Sequence, residues 1–353
     1  MDSSTKKTVI KDKLQKLLDK TTDAKSVFGS VLRVDTPLDS FCIASGDISA
    51  HDSFFIASVT KLFTASIIFC LAQTNKLSMD DTIERYFSMD EINKLDCSHE
   101  PNLLKNITIR QLLSHTSGLP DYFEQSSQGR VLSSQILQGH DQRWNFEDIL
   151  SMTKTMKSKF VHGSKGKAFY SDTNYQILGQ IIERVCNKSY EWALEHYIFQ
   201  PLQLHKTYLY KNISDKRPIN IYHKKTKLNI PMAMSSFGPD GGIVSTIDDM
   251  MIFIKAFYKG DLFSLSFIDN VEYNTLFFPI KYGLGMMHYE LPRVLTAFKK
   301  LPSLIGHSGM NGSFAFYAPK IETFIVGTVN QSDNPARAFR LMSKILMLLR
   351  EDN

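Results

Sequence analysis

Apolar and polar residues follow different periodicities in successive parts of the chain. Near the N-terminus the apolar residues recur at helical spacing, which predicts an amphipathic helix with one buried face: Ile10, Leu14, Leu17 and Leu18. Two strand-like runs follow, "SVFGSVLRVD" and "SFCIASGDI", and the turn-forming "TPLD" between them predicts a hairpin. From Ser58 to about residue 225 the spacing is mostly helical, with loops at "SHTSGLPDY" and "VHGSKGKAF".

Strand-like runs return late in the chain. The segments "YGLGMMHYEL", "GSFAFYAPK" and "TFIVGTVNQ" each predict a strand, and the last two are joined tightly through "KIE". The chain then ends in a helix with one apolar face: Ala338, Leu341, Met342, Ile345 and Leu349.

Strands near both ends and helices between them predict an α+β fold. One antiparallel sheet is expected to combine the N-terminal hairpin with the C-terminal strands, with the two terminal helices on one of its faces. Residues 1–57 and 226–353 would form this α/β lobe, and residues 58–225 a mostly helical lobe against the other face. A ligand site would lie in the groove between the two lobes.

The composition excludes several classes of protein. With 353 residues, 43% hydrophobic and 22% charged, the chain is predicted to be globular with a full-sized core. The net charge of +5 comes from lysines interspersed with acidic residues, a pattern typical of a solvated surface and not of a nucleic-acid interface. The apolar stretch after Ser58 is too short to span a bilayer, and the first twenty residues lack the apolar core of a secretory signal. The chain as written is therefore predicted to be cytoplasmic, although a secreted or periplasmic protein without its leader would read the same way.

The cysteines indicate neither a metal site nor a disulfide framework. They are far apart and show no Cys-x-x-Cys or His-clustered spacing, so they are expected to be free thiols: Cys42, Cys70, Cys97 and Cys186. No metal and no cofactor are expected.

The segment "FFIASVTKLFTASIIFCLA" places Ser58 and Lys61 three residues apart at the start of an apolar helix. In a first helical turn, free N–H groups and the helix dipole favour an oxyanion, and a lysine one turn later would have its pKa lowered by burial and could activate the serine. On this segment alone, an N-capping serine with a lysine reaching the surface is an equally good interpretation. The same spacing also starts at four other serines, which lie in terminal, loop or polar contexts: Ser3, Ser4, Ser151 and Ser164.

Four further segments follow in order: "NITIRQLLSHTSGLPDYF", "KAFYSDTNYQILGQIIERV", "GPDGGIVSTIDDM" and "IGHSGMNGSFAFY". Together with "SVTK" they resemble the serine hydrolase superfamily of class C β-lactamases, DD-peptidases (penicillin-binding proteins), D-aminopeptidases and related esterases. The resemblance extends from about residue 26 to the end of the chain. It implies a β-lactamase/transpeptidase-like fold with Ser58 as the nucleophile.

The resemblance also assigns roles to residues that match the family's motifs. Ser58 and Lys61 match its Ser-x-x-Lys, and Tyr170 matches the tyrosine of Tyr-x-Asn, which in the family carries the serine proton to the leaving group. A phenol beside two cations would lose part of its high pKa and could act as base and then as acid. "GHSG" fits the family's Lys-Thr-Gly strand, where Gly309 would admit substrate to the strand edge. The N–H of Met310 would join that of Ser58 in an oxyanion hole.

Two positions depart from the family pattern. Asp172 replaces the asparagine, and because a carboxylate only accepts hydrogen bonds, it should pair with Lys61, keep that lysine charged and leave Tyr170 as the base. His307 replaces the lysine of the strand motif, as is common in esterase and D-aminopeptidase relatives, and Ser308 follows as an expected substrate contact. With an ordinary pKa near 6.5, His307 would offer substrate a hydrogen bond in place of a fixed charge, which disfavours β-lactamase activity.

These residues predict a hydrolase that forms an acyl-enzyme on Ser58. An esterase or a D-amino-acid peptidase or amidase is expected, acting on a small ester, amide or peptide, with no nucleic-acid partner and as a monomer or weak dimer. Two alternatives remain open. An acyltransferase would share the acyl-enzyme and differ only in the acceptor, and a catalytically weak sensor or scaffold would bind penicillin-like or acylated ligands without turnover.

Overall fold

The strands near both ends of the chain form one antiparallel sheet, as predicted. In the computed structural model, which describes residues 3–95, 101–292 and 301–351, this sheet has eight strands in the order β2-β1-β13-β12-β11-β10-β9-β8. Their bounds are β1 Gly29–Asp35, β2 Ser40–Gly46, β8 Asn274–Phe277, β9 Ile280–Gly283, β10 Met286–Tyr289, β11 Leu304–Ser308, β12 Ser313–Ala318 and β13 Thr323–Thr328. The remaining strands make a small sheet and a hairpin: β3 Phe54–Phe55, β4 Tyr208–Leu209 and β7 Ile243–Ser245, then β5 Tyr222–His223 with β6 Thr226–Lys227.

The helices lie at the two termini and in the long segment between β2 and β8. The terminal helices are α1 Ser3–Thr21 and α13 Ala336–Glu351. The others are α2 Thr60–Gln73, α3 Met89–Ile92, α4 Pro101–Leu104, α5 Ile109–Leu113, α6 Leu132–Leu137, α7 Phe146–Thr153, α8 Asp172–Cys186, α9 Tyr190–Leu194, α10 Gln200–Leu202, α11 Pro231–Phe237 and α12 Ile247–Lys259.

The two faces of the large sheet pack against different helices. In β12, Phe314 and Phe316 belong to the core shared with α1 and α13, whereas Ala315 between them belongs to the core that contains α2 and α12. This alternation follows from the two-residue period of a strand. The apolar faces predicted for both terminal helices are buried in the first of these cores, which confirms the predicted α+β arrangement.

Two details differ from the sequence predictions. "YGLGMMHYEL" is not one strand, because Gly285 adopts a φ of 77° and turns the chain between β9 and β10. The small sheet and the β5–β6 hairpin were not predicted, since strands of two or three residues are too short to show a period. The lobe boundaries at residues 57 and 225 stay a prediction.

The described part of the chain contains no helix long and apolar enough to cross a bilayer. Cys42, Cys70 and Cys186 are free thiols, and Cys97 lies outside the described residues. Among the described residues, no three His, Cys, Asp or Glu side chains are grouped so that they could hold a metal ion.

Candidate active site

Ser58 lies in a tight turn between β3 and α2. Residues Ala57–Val59 form a short 3-10 turn that leads directly into α2. Ala57 has a φ of 45°, a left-handed conformation that costs a residue with a β-carbon roughly 1–2 kcal/mol. The backbone is therefore strained immediately before the serine, and surrounding contacts must hold it.

The loop after β11 supplies those contacts. The Asn311 side-chain amide donates to the Phe55 carbonyl and the Ser313 hydroxyl to the Ile56 carbonyl, each at 2.6 Å. A β-carbon on Gly309 would clash with Ser313 and come within 2.8 Å of Ala57, so only glycine fits there. Gly309 therefore lets the end of β11 approach the serine turn, and its expected role in admitting substrate stays a prediction.

Lys61 is fully buried one helical turn after Ser58. Its ammonium donates to Ser58 Oγ at 3.1 Å and to the Asp240 carbonyl at 2.7 Å, and forms the predicted ion pair with Asp172 at 2.6 Å. Burial disfavours the ammonium, but the charge of Asp172, helped by Tyr170 and Asp240, outweighs burial and raises the pKa of Lys61. The lowered pKa expected from the helix alone is therefore wrong, and Lys61 is a cation.

The ring of Tyr170 lies between Lys61 and His115. Its ring centroid is 5.1 Å from Lys61 Nζ and 4.3 Å from the ring of His115. Burial raises the pKa of the Tyr170 phenol, although the charge of Lys61 and hydrogen bonds to Lys61 and Ser58 oppose the rise. The expected fall in this pKa is thus wrong, because burial, together with the charge of Asp172, outweighs the charge of Lys61.

His115, which the sequence analysis did not single out, fixes the backbone beside Tyr170. Its Nδ1 accepts hydrogen bonds from the Ser171 N–H and the Asn174 side-chain amide, both at 3.1 Å. Burial, followed by the charge of Lys61, lowers its pKa well below the ordinary value, so it is neutral. Its presence within "SHTSG", one of the segments that carried the resemblance, was the signal that could have revealed it.

His307 lies behind Tyr170 and does not reach the groove. The side chain is fully buried; Nδ1 donates to the Ser308 carbonyl at 2.8 Å, and Nε2 accepts from the Tyr282 hydroxyl at 3.0 Å. Burial and then the charge of Lys61 lower the pKa of His307 to about 3. The expectation that His307 offers substrate a hydrogen bond is wrong, because both ring nitrogens have protein partners and the ring stays neutral.

The side chain of Ser308 also points away from the groove. Its hydroxyl donates to the sulfur of Met287 at 3.5 Å on the neighbouring strand. Met310, by contrast, lines the cavity beside Ser58, and within the described residues neither the Met310 N–H nor the Ser58 N–H donates a turn or loop hydrogen bond. The oxyanion hole formed by these two N–H groups stays a prediction.

Asp172 and Asp240 both interact with the charge of Lys61, and a third buried carboxyl group, that of Asp121, accepts a hydrogen bond from the Asp172 N–H. Asp240 is 1% exposed. Its Oδ2 accepts from the Tyr122 hydroxyl at 2.7 Å and from the Gln176 amide at 3.0 Å. One ammonium cannot balance three buried carboxylates, so protons must be retained.

The proton on Asp240 follows from this imbalance. Burial, and next the charge of Asp172, raise the pKa of Asp240 to about 8, and burial also raises that of Asp121. The segment "GPDGGIVSTIDDM" was one of those that carried the resemblance, but nothing in its sequence indicated that Asp240 is buried beside Lys61.

A small cavity of about 50 Å³ opens beside Ser58. Its polar side chains are Ser58, Asp172, Asp240, Asn311 and Ser332, and no lysine, arginine or histidine of the described chain lines it. The rest of the wall is mainly apolar: Phe123, Ile136, Leu137, Ile221, Leu228, Ile230, Met234, Phe237 and Met310.

Comparison with known proteins agrees with this geometry. The Beta-lactamase family profile matches residues 44–346. The chain belongs to the beta-lactamase family. It is thereby a member of the serine hydrolase superfamily that its motifs resemble, and its large sheet and helices are those of the β-lactamase/transpeptidase-like fold.

The chain is similar to penicillin-binding proteins at low sequence identity. Penicillin-binding protein 4* of Bacillus subtilis is 25% identical over 280 residues, which cover 74% of this chain and 56% of that protein. The chain spans about half the length of the curated relatives it matches.

Two solved structures show the same fold over nearly the whole chain. A D-amino acid amidase from Ochrobactrum anthropi superposes with a TM-score of 0.79 at 20% identity, covering 98% of this chain and 100% of the other. EstCE1, described as a hydrolase with promiscuous acyltransferase activity, superposes with a TM-score of 0.78 at 18% identity, covering 98% and 100%.

Proposed function

We propose that this protein is a serine hydrolase that forms an acyl-enzyme on Ser58 and acts on esters or amides of small apolar acyl groups. The observation that carries the proposal is the 3.1 Å contact between Ser58 Oγ and the buried Lys61 ammonium, at the edge of a mainly apolar cavity. A buried cation beside a hydroxyl stabilises the negative charge that develops on the oxygen during attack.

In the proposed mechanism the serine proton travels through Tyr170. Lys61 is already charged and Tyr170 is protonated, so neither is a standing base. As Ser58 Oγ bonds to the substrate carbonyl carbon, its proton passes to the Tyr170 oxygen and the phenolic proton passes to the leaving group, whose bond to carbon then breaks. A water molecule then attacks the acyl carbon and gives its proton to the Tyr170 oxygen, while the phenolic proton passes to Ser58 Oγ. The bond between Ser58 and the acyl group breaks and the acid is released. The N–H groups of Ser58 and Met310 would hold the oxyanion.

The charge of the cavity favours substrates without a carboxylate. Asp172 is already paired with Lys61, Asp240 is protonated at neutral pH, and no described cation lines the cavity, so a substrate carboxylate would lose its water without gaining a charge-assisted hydrogen bond. β-Lactams and D-Ala-D-Ala peptides carry such a carboxylate. Alkyl esters and amino acid amides do not, in keeping with the amidase that shares the fold.

We expect hydrolysis of p-nitrophenyl esters and slow or undetectable turnover of nitrocefin at pH 7.5. The missing charge-assisted contact to a carboxylate corresponds to about 1.5–3 kcal/mol, or roughly ten- to a hundredfold in kcat/KM. Butyrate should also be preferred over acetate by roughly tenfold, because two more methylenes would enter the apolar cavity. Efficient nitrocefin turnover would contradict the proposal, as would tight binding of all three compounds with no turnover, which would indicate the sensor or scaffold.

The pH dependence of kcat/KM should reveal the ionisation of Asp240. Because its pKa is raised to about 8, it is protonated at neutral pH and becomes a second negative charge beside Lys61 above pH 8. That charge opposes the oxyanion, so kcat/KM should fall above about pH 8 in the wild type, whereas Asp240→Asn should remain active. The unfolded carboxyl ionises near pH 4, so the wild type should also lose stability relative to this variant between about pH 4 and pH 8.

A buried carboxyl far from Lys61 provides the control for this pH measurement. Asp249 in α12 accepts hydrogen bonds from the Thr207 hydroxyl and the Lys206 N–H. In Asp249→Asn the fall in kcat/KM above about pH 8 should occur at the same pH as in the wild type. If the same fall persists unchanged in Asp240→Asn, a group other than Asp240 causes it.

A further inference from the structure

A second, larger cavity adjoins the cavity beside Ser58. It has a volume of about 270 Å³, and four of the side chains that line it also line the catalytic cavity: Ile221, Leu228, Ile230 and Met234. A side chain that lines two cavities separates them. These four residues, called here the partition, are between 4% and 7% exposed.

The backbone of the partition is held independently of its side chains. The Leu228 N–H donates to the Ile221 carbonyl at 2.8 Å beside the β5–β6 hairpin. At the tip of this hairpin, the Gln331 side chain accepts from the Lys224 N–H at 2.9 Å and donates to the Lys224 carbonyl at 2.8 Å. Shortening a partition side chain would therefore open a passage while the hairpin stays anchored to the residues after β13.

The two cavities differ in size and in polarity. The catalytic cavity, at about 50 Å³, ends at the apolar partition, whereas the larger cavity beyond it carries polar side chains that include Asp47, Asp215 and Lys227. An acyl chain that extends from Ser58 would meet the partition before it reached this space. Each methylene stopped there loses the roughly 0.8 kcal/mol that its burial would contribute.

We infer that the partition sets the length of the acyl group that the enzyme accepts. This inference rests on the proposed function and assigns Ile221 and Leu228 as specificity-determining residues. Short acyl groups fit in front of them, and the second cavity becomes an extension of the acyl site once their side chains are removed.

The test compares kcat/KM for p-nitrophenyl octanoate and butyrate in the wild type and in Ile221→Ala/Leu228→Ala. The wild type should favour butyrate, and the double variant should raise the octanoate-to-butyrate ratio by roughly ten- to a hundredfold, because additional methylenes become buried. Ile219→Ala is the matched control. Ile219 lines the second cavity but not the catalytic one, so its truncation enlarges that cavity without opening the partition and should leave the ratio unchanged.

Each outcome has a distinct meaning. A folded double variant with an unchanged ratio overturns the inference, as does a wild type that already hydrolyses octanoate as efficiently as butyrate. If the double variant does not fold, Leu228→Val makes the same comparison with a smaller expected rise. If no ester is hydrolysed, the proposed function fails, and thermal-shift binding of the uncharged octanamide against butanamide decides the partition separately: selective stabilisation of the double variant by octanamide supports it, and no difference overturns it.

Discussion

Ser58→Ala is expected to lower kcat for p-nitrophenyl butyrate by about a thousandfold or more, because no acyl-enzyme can form without the hydroxyl. The protein should remain folded. The lost hydroxyl accepts a hydrogen bond from Lys61, which also keeps Asp172 and the Asp240 carbonyl as partners, and it shares a second hydrogen bond with Tyr170. The change in free energy of unfolding should therefore be about 1 kcal/mol, as measured by chemical denaturation.

Ser66 provides the matched control in the same helix. It is fully buried, and its hydroxyl donates to the Leu62 carbonyl at 2.8 Å. Ser66→Ala should change stability by a similar amount and leave kcat within about twofold. Residual activity of Ser58→Ala near the wild-type level would show that a different nucleophile acts.

Lys61→Met should abolish activity to a similar degree and also destabilise the fold. Removing the ammonium leaves Asp172 buried without a counter-charge, a change that typically costs about 3–5 kcal/mol. A lower midpoint of urea unfolding should accompany the loss of kcat.

The double variant Lys61→Met/Asp172→Asn separates these two effects. Because both members of the ion pair are now uncharged, much of the lost stability should return, while activity should not. Recovery of activity in the double variant would mean that Lys61 acts only by holding the fold together. Failure of the double variant to regain stability would mean that the pair is not the main source of the loss.

The sequence was sufficient for those parts of the site that depend on local geometry. Ser58 and Lys61 are one helical turn apart, so any helix at this position brings them together. The pairing of Lys61 with Asp172 followed from their opposite charges and from the family resemblance, which placed Asp172 at the site. The terminal helices and the strands β1, β2, β12 and β13 were predictable because each is long enough to show its period.

The rest of the site depends on contacts between distant segments. His307 was misassigned because the two partners that occupy its ring nitrogens include Tyr282 from β9, which no local pattern places beside it. Asp240 was missed because its hydrogen-bond partners Tyr122 and Gln176 lie 118 and 64 residues away. The pKa of Tyr170, and that of Lys61 as expected from its helix alone, were predicted in the wrong direction because the balance between burial and neighbouring charge depends on distances.

In the proposed mechanism the substrate acylates a single atom of the protein, Ser58 Oγ. Treating the protein with a fluorophosphonate and measuring intact mass, followed by peptide mapping, identifies that atom. We predict one adduct per chain, located on Ser58 and absent from Ser58→Ala, with Ser66→Ala labelled like the wild type. An adduct on any other residue, or full ester hydrolysis by a protein that carries no adduct, would contradict the assignment of Ser58 as the nucleophile.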